Sequence, residues 1–263
     1  MLPVEVLGGP LTEHVCSLAF SPDGSVLAVG GDVLSVDEEI FVPEIKLVDS
    51  LSGRVLYRIP FGRQQQMDQV LSITFSHDGM LLAAGSMDKV IRLFDFNSGR
   101  EVSTFTLDQG PTIALTFSPD NQVLAASTLL GVELWNRNTG ERRIILQENA
   151  SHLNYTPDGR TLVIGTISGE VVFYNTLTNE LVLKIQAHSQ SLSTLALNSD
   201  GTLLATSGGG KVNLWDTGSL EQIASWDYPA LSMVFSPEDE ILFVSDGEEI
   251  RVIDLRTLHL HDK

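Results

Sequence analysis

The chain has 263 residues, of which 43% are hydrophobic and 19% are charged, and its formal net charge is −18. This composition is typical of a folded protein and excludes a disordered chain. The negative charge opposes binding to nucleic-acid backbones and to anionic membranes, which need clustered Lys and Arg. The charge favours a basic partner through long-range attraction, or else it serves solubility alone.

The N-terminal sequence MLPVEVLGGP has neither the basic start nor the apolar run of a secretory signal. No apolar run in the chain reaches transmembrane length. Cys16 is the only cysteine, which excludes an internal disulfide and a cysteine-based metal site. We therefore expect a cytoplasmic protein, unless a targeting segment has been lost from a longer chain.

Residues 70–107 show the chain's organisation most clearly. Short apolar segments at 70–76, 80–86, 90–95 and 101–107 are separated by turn sequences such as Ser76-His77-Asp78-Gly79. Leu71, Ile73 and Phe75 alternate with polar residues, which predicts a strand. The second and third strands are apolar on both sides, so both faces of this sheet must be covered, as stacked copies of it would do.

Copies of this pattern recur about every 40 residues, the period of four-stranded propeller blades. The first turn of each copy follows a short apolar strand, and the six turns are Ser21–Gly24, Ser76–Gly79, Ser118–Asn121, Thr156–Gly159, Asn198–Gly201 and Ser236–Asp239. The third strand of each copy ends in an apolar or aromatic residue followed by Asp or Asn: Val48-Asp49, Phe94-Asp95, Trp135-Asn136, Tyr174-Asn175, Trp215-Asp216 and Ile253-Asp254.

In these features the chain resembles the WD40-repeat β-propeller family, and Trp215-Asp216 is that family's eponymous dipeptide. The resemblance implies an all-β fold, with one domain spanning residues 1–263 as a six-bladed propeller of four-stranded antiparallel blades. The implied blades span about 10–60, 66–108, 109–148, 149–187, 189–226 and 227–263. The family's buried polar tetrad is incomplete: His188, Ser207 and Trp215 match it in the fifth blade, and Ser86 and Asp88 in the second.

Residues 3–7 stand where the family has the outermost strand of a preceding blade, and the last repeat ends too early to form its own fourth strand. We therefore expect Pro3–Leu7 to complete the last blade and close the ring, which leaves no open edge. The alternative is a frayed N-terminus and a last blade of three strands.

An insertion separates the second and third strands of the first repeat, which we place at residues 26–30 and 45–49. It holds the carboxylates Asp32, Asp37, Glu38 and Glu39 beside apolar residues that include Phe41. Insertions in repeat proteins usually map to one face, often the binding face. The resemblance places this loop on the top face of the propeller. Alternatively, the insertion is a decorated hairpin that packs on a neighbouring blade.

The resemblance also implies which residues line the top face, where WD40 proteins commonly bind peptides. The predicted partner-binding residues are His14, Gln69, Leu71, Met87, Ile113, Asn149, Ile167, Leu231 and Asp246, with the acidic insertion Asp37, Glu38, Glu39 and Phe41 beside them. An exposed apolar arc often marks a protein interface, and methionine adapts well to a partner. The alternative is that these side chains only fill the central funnel.

Signals for chemistry are weak. Gly208-Gly209-Gly210-Lys211 lacks the Ser or Thr of a phosphate loop, and His259 and His261 lack a third metal ligand nearby. His14, Gln69, Asn149 and Asp246 include one carboxylate, too few for a hard cation. We expect no catalytic residue, no metal and no cofactor.

The chain is therefore expected to be a non-catalytic scaffold that binds a protein or peptide, with a basic partner favoured. We expect it to bind neither nucleic acid nor a membrane. We expect it to be monomeric by itself. Two alternatives stay open: a propeller domain of a larger signalling or regulatory protein, and a metal-dependent hydrolase-like propeller.

Overall fold

A computed structural model describes residues 13–35, 40–61, 69–108 and 110–258. Within these ranges the chain forms strands and one short 3-10 helix, Leu255–Leu258. The described strands make six antiparallel sheets in chain order, and each strand pairs only with strands of its own sheet. Sheets 1 to 5 have four strands each, and sheet 6 has three described strands. No helix in the described ranges is long and apolar enough to span a membrane.

The strands are numbered in chain order. Sheet 1 contains β1 (Glu13–Phe20), β2 (Val26–Ser35), β3 (Ile40–Asp49) and β4 (Val55–Pro60), and sheet 2 contains β5 (Val70–Phe75), β6 (Leu81–Ser86), β7 (Val90–Asp95) and β8 (Glu101–Thr106). Sheet 3 contains β9 (Thr112–Phe117), β10 (Val123–Thr128), β11 (Gly131–Asn136) and β12 (Arg142–Leu146), and sheet 4 contains β13 (Ala150–Tyr155), β14 (Thr161–Thr166), β15 (Glu170–Asn175) and β16 (Glu180–Gln186). Sheet 5 contains β17 (Leu192–Leu197), β18 (Leu203–Gly208), β19 (Lys211–Asp216) and β20 (Gln222–Trp226), and sheet 6 contains β21 (Ser232–Phe235), β22 (Ile241–Ser245) and β23 (Ile250–Asp254).

The chain divides into two compact units, residues 1–144 and residues 145–263, with the boundary inside β12. In the first unit, one apolar core lies between sheets 1 and 2 and another between sheets 2 and 3. In the second unit, the cores lie between sheets 4 and 5 and between sheets 5 and 6. In sheets 2 and 5, which each share a core with two neighbours of their unit, the inner strands are apolar on both sides because both faces are covered.

The first turns of sheets 1 to 4 are held by one hydrogen-bond pattern that explains their repeated sequence. Ser76 Oγ donates to Asp78 Oδ1 at 2.6 Å and accepts the backbone N–H of Leu81 at 2.9 Å. The same pair of bonds forms at Ser21, Ser118 and Thr156. The fourth turn residue has positive φ, which glycine adopts without strain, and Asn121 and Asp239 are tolerant substitutes.

For the predicted insertion at residues 31–44, the structure favours the hairpin alternative over the loop, and the predicted strand ends at residues 30 and 45 were wrong. β2 and β3 instead continue as a paired hairpin, with Gly31 opposite Glu44 and Ser35 opposite Ile40. Apolar residues recur on both sides of the turn, so the segment fits extended strands. Residues 36–39, which include Asp37, Glu38 and Glu39, lie outside the described residues, as does the predicted closing strand at residues 3–7.

The buried polar network of sheet 5 is real but differs by one residue from the prediction. Trp215 donates its Nε1–H to Thr206 Oγ1 at 2.9 Å, and His188 Nε2 lies 2.9 Å from the same oxygen. Ser207 points the other way and accepts the backbone N–H of Ala230. Neighbouring residues of a strand face opposite sides, so a shift of one position exchanges their roles. In sheet 2, Ser86 does contact Asp88, as predicted.

Replacing Thr206 with valine should destabilise the protein by about 1–3 kcal/mol. Valine keeps the side-chain shape of threonine but lacks its hydroxyl, so the buried Trp215 N–H and the His188 ring lose their shared hydrogen-bond partner. Urea unfolding followed by circular dichroism measures the change. The control Thr104→Val makes the same replacement at an exposed position of β8. A loss for Thr206→Val within about 0.5 kcal/mol of the control would contradict this role, since surface substitutions usually stay in that range.

Candidate functional site

Each sheet brings the residue before its first strand next to the turn between its second and third strands. We call this place the top end of a sheet. In sheet 2 the N–H of Met87 donates to the carbonyl of Gln69 at 3.3 Å, and in sheet 4 the N–H of Ile167 donates to the carbonyl of Asn149 at 3.1 Å. In sheet 6 the N–H of Leu231 donates to the carbonyl of Ser245, the residue before Asp246. Predicted site residues are therefore paired within these sheets.

A buried carboxylate connects the top ends of sheets 1 and 2. Asp32 is only 4% exposed, and its Oδ1 lies 3.0 Å from His14 Nδ1. Its Oδ2 accepts a hydrogen bond from Gln69 Nε2 at 2.8 Å. A buried charge is costly unless it is hydrogen-bonded. Of the predicted partner-binding residues, Gln69 therefore holds the hairpin of sheet 1 against sheet 2, and His14 pairs with Asp32 within sheet 1.

A pocket lies beside this carboxylate and is lined by His14, Val15, Val29, Gly31, Asp32, Glu44 and Lys46. Its interior volume of about 10 Å³ accommodates about one water molecule. The pocket is therefore too small for a substrate or a cofactor. Lys46 Nζ and Arg58 Nη1 both approach Glu44 Oε1, so the basic groups on this side are already paired.

The top ends of sheets 2 and 3 present exposed apolar side chains. Met87 is exposed as predicted, whereas Leu71 and Ile113 are half-buried. Sequence reasoning missed Leu129 and Leu130, which are exposed in the turn of sheet 3. Thr128 Oγ1 accepts the N–H groups of both Leu130 and Gly131 and so fixes that turn. The sequence signal for this exposed apolar site was the presence of two leucines in a tight turn, where polar residues are usual.

In the second unit, Ile167 and Leu231 are exposed at the top ends of sheets 4 and 6. Asn149 is half-buried, and Asp246 accepts the N–H groups of Glu249 and Glu248, which lowers the pKa of its carboxyl group. Asp246 is thus a turn-forming residue. Of the acidic insertion, Asp37, Glu38 and Glu39 lie outside the described residues, and for Phe41 only the strand β3 is described.

Among the residues that the structure covers, no three His, Cys, Asp or Glu side chains lie close enough together to hold a metal ion. His259 and His261 are not among the described residues. The described chemistry of the top ends is therefore that of apolar contact and hydrogen bonding.

Sheet 4 also carries a titratable group near its top end. His152, in β13, lies 2.9 Å from Ser151 Oγ, and burial lowers its pKa to about 4. The ordinary pKa of histidine is about 6.5. Between these two values the unfolded chain binds a proton at this residue that the folded chain does not bind. Stability should therefore fall as the pH drops through this window.

We expect the free energy of unfolding to fall by up to about 3 kcal/mol between pH 6.5 and pH 4 through His152 alone. His152→Gln removes the titrating group and should flatten this part of the profile. Guanidinium unfolding at several pH values measures it, with His77→Gln, at an exposed turn position, as the control. If both variants kept the slope of the parent protein, His152 would not be its source.

The family model "WD domain, G-beta repeat" matches residues 3–37, 62–95 and 179–216. WD repeat-containing protein SL1-17 of Schistosoma mansoni is 30% identical over 141 residues, which cover 52% of this chain and 46% of that protein. Pre-mRNA-processing factor 19 homolog 2 of Arabidopsis thaliana is 25% identical over 245 residues, which cover 89% of this chain and 44% of that protein. Serine-threonine kinase receptor-associated protein of Rattus norvegicus is 28% identical over 190 residues, which cover 68% of this chain and 53% of that protein.

The chain thus spans about half the length of these relatives. Its matched repeats coincide with the described sheets: residues 62–95 include β5 to β7, and residues 179–216 include β16 to β19. Sequence repeats and sheet repeats agree at these stretches, which match the WD40 repeat.

Proposed function

We propose that this protein is a non-catalytic scaffold that binds a protein or peptide at the top ends of its sheets. The observation that carries the proposal is the set of exposed apolar side chains at the top ends of sheets 2 and 3, Met87, Leu129 and Leu130. Sheets 2 and 3 are adjacent and share one core. Exposed apolar groups that lie together on a surface commonly mark an interface.

The turns that carry these side chains are rigid, which favours binding. Met87 is tied to Gln69 by a backbone hydrogen bond, and Thr128 holds the turn of Leu129 and Leu130 by two. A preorganised surface loses little conformational freedom on association, so more of the contact energy is available as affinity. Methionine fits differently shaped partners because its side chain is unbranched and polarisable.

The hairpin of sheet 1 adds the electrostatic part of the proposal. The sequence between β2 and β3 contains Asp37, Glu38 and Glu39, and the whole chain has a net charge of −18. The hairpin is anchored at its base by the Asp32 contacts to His14 and Gln69. A partner segment with apolar anchors and basic flanks fits this combination, and such steering acts through the summed field of the protein. A nucleic acid or an anionic membrane would be repelled, and we place the protein in the cytoplasm.

In the second unit, we propose that Ile167 and Leu231 serve the same role at the top ends of sheets 4 and 6. Both are exposed, as Met87 is. Ile167 occupies in sheet 4 the position that Met87 occupies in sheet 2, and Leu231 directly precedes the first strand of sheet 6. Asn149 and Asp246 would support these turns.

A second candidate is a binding domain within a larger protein, where an effector lies outside these residues. The observation that favours it is coverage: the chain spans 46%, 44% and 53% of three relatives. In this case the top ends would still bind the partner.

The pair Met87→Glu and Leu130→Glu should abolish binding, because it places charges in the middle of the apolar surface. Affinity capture from the native host's lysate, with quantitative mass spectrometry, should show at least one protein reduced by about tenfold or more, the effect of about 1.4 kcal/mol. The control is Leu51→Glu, an exposed apolar residue in the turn between β3 and β4, at the opposite end of sheet 1. Equal capture by both variants would remove the top ends from the binding surface.

Replacing Asp37, Glu38 and Glu39 with lysine should weaken the captured partner's binding and flatten its dependence on salt, because charge attraction is screened as ionic strength rises. The matched control changes Glu141, Glu180 and Glu221 to lysine, which alters net charge equally at exposed positions at or directly before the start of the fourth strands of sheets 3, 4 and 5. Calorimetric titrations at several salt concentrations measure both. Equal losses in the two variants would assign the effect to net charge and not to the hairpin.

A further inference from the structure

The first turns of neighbouring sheets meet in pairs, where the second residue of one turn approaches the fourth residue of the next. We call each such contact a turn junction. Within the first unit, junctions lie between sheets 1 and 2 and between sheets 2 and 3. Within the second unit, they lie between sheets 4 and 5 and between sheets 5 and 6. These junctions are of two kinds.

One kind of junction is a hydrogen bond from the backbone to a side chain. Between sheets 2 and 3, the backbone N–H of His77 donates to Asn121 Oδ1 at 2.7 Å. Between sheets 5 and 6, the backbone N–H of Ser199 donates to Asp239 Oδ1 at 2.9 Å, and the Ser199 hydroxyl donates to Asp239 Oδ2. In both cases the donating residue stands where the other first turns have proline.

The other kind of junction places proline against glycine. Between sheets 1 and 2, a Cβ added to Gly79 would lie 3.6 Å from Pro22 Cδ. Between sheets 4 and 5, a Cβ added to Gly201 would lie 2.8 Å from Pro157 Cδ, which leaves no room for a side chain. Proline has no N–H to donate and glycine has no side chain to accept, so neither partner lacks a hydrogen bond.

The conformation of the turns alone does not explain this pairing. The fourth residue has a positive φ in all four cases: 69° at Gly79, 58° at Asn121, 77° at Gly201 and 58° at Asp239. Glycine adopts such a φ with the least strain, so the turn by itself favours glycine at every one of these positions. Asn121 and Asp239 keep a side chain there, and each faces a preceding turn whose second residue has an N–H to donate. The contact with the preceding sheet accounts for the exchange.

We propose that each turn junction is a matched pair that specifies the neighbour of each sheet: a backbone N–H opposite an acceptor side chain, or proline opposite glycine. A mixed pair is penalised. Proline opposite Asn or Asp leaves the acceptor without its donor, and an N–H opposite glycine loses its partner. Similar surfaces select their partners through such mismatches. Sheets of similar sequence need this selection, because their apolar faces distinguish them only weakly.

A double-mutant cycle with His77→Pro and Asn121→Gly tests the matching, since the double variant converts one kind of junction into the other. Asn121→Gly should lower the melting midpoint of the unmodified protein by removing the acceptor. In the His77→Pro background the same substitution should leave the midpoint unchanged or raise it. The two effects should depart from additivity by about 2–4 °C, the shift expected from one hydrogen bond in a protein of this size. Additivity within about 1 °C would overturn the proposal.

The matched control for this cycle is His77→Ser, which copies Ser199 and keeps the backbone N–H. It removes the imidazole ring, whose Nε2 lies 3.3 Å from the carbonyl of Phe117. His77→Ser and Asn121→Gly should therefore be additive. The same departure from additivity in this cycle would assign the coupling to the ring and contradict the matched pair.

Amide exchange gives a measurement that does not depend on the folding of His77→Pro. In Asn121→Gly, the amide proton of His77 should exchange with solvent about fivefold faster or more, as seen by solvent-exchange NMR spectroscopy. Asn121→Asp keeps an acceptor and should keep the protection. The amide of Ser199, bonded to Asp239 in the second unit, is the internal reference and should not change. An unchanged rate at His77 in Asn121→Gly would overturn the proposal.

The reciprocal change in the second unit tests the proline–glycine kind. Gly201→Asp should lower the melting midpoint, because its side chain meets the Pro157 ring and finds no N–H. Adding Pro157→Ser removes the ring and supplies the N–H, as Ser199 does for Asp239. The second substitution should therefore recover part of the loss. A further loss on adding Pro157→Ser, or no recovery, would contradict the matching.

Discussion

Face-to-face contact between neighbouring sheets is the constraint on which the described structure depends. The second strand of sheet 2 is the clearest case: Leu82, Ala83 and Ala84 are fully buried, although they point alternately to opposite faces. Such a strand is stable only when both faces are covered. The close approach also limits side-chain size, since a Cβ added to Gly85 would lie 2.5 Å from the Thr112 side chain. Small residues on the second strand and larger ones on the next sheet's first strand follow from this fit.

The same constraint determines where function can lie. Because the faces of the inner sheets are occupied by packing, the ends of the sheets are the parts free to vary. The turns after the first strands of sheets 1 to 4 share the hydrogen bonds from serine or threonine to aspartate that hold them, and for this reason they resemble one another. The top ends have no such common requirement. The top end of sheet 2 carries Met87 and that of sheet 3 carries two leucines, and a different hydrogen bond holds each turn. Such variability is expected of a binding surface.

Sequence reasoning predicted the six sheets because period two and turn composition are local signals that packing reinforces. It predicted less of the site, because the details there depend on register. Thr206 and Ser207 are neighbours on a strand, and only their pairing decides which one meets Trp215. The role of Asp32 was equally invisible, since a carboxylate in an insertion looks solvated until the two strands are seen to continue and bury it. The sequence shows Leu129 and Leu130 as leucines in a turn, but the family positions used to predict the top face do not include them.

Sheets 1 and 6 show how strongly the need to cover apolar faces acts. Repeat proteins usually protect a terminal repeat with a polar outer surface, because an apolar face in water is a liability for aggregation. Sheets 1 and 6 do not follow that practice: Leu18, Phe20, Phe243 and Val252 are as apolar as their buried counterparts in the inner sheets. Such residues are compatible with a soluble protein when another surface covers them. The contact between sheets 2 and 3 shows the chemistry of such a cover, a strand with an aliphatic residue and an aromatic residue two positions apart.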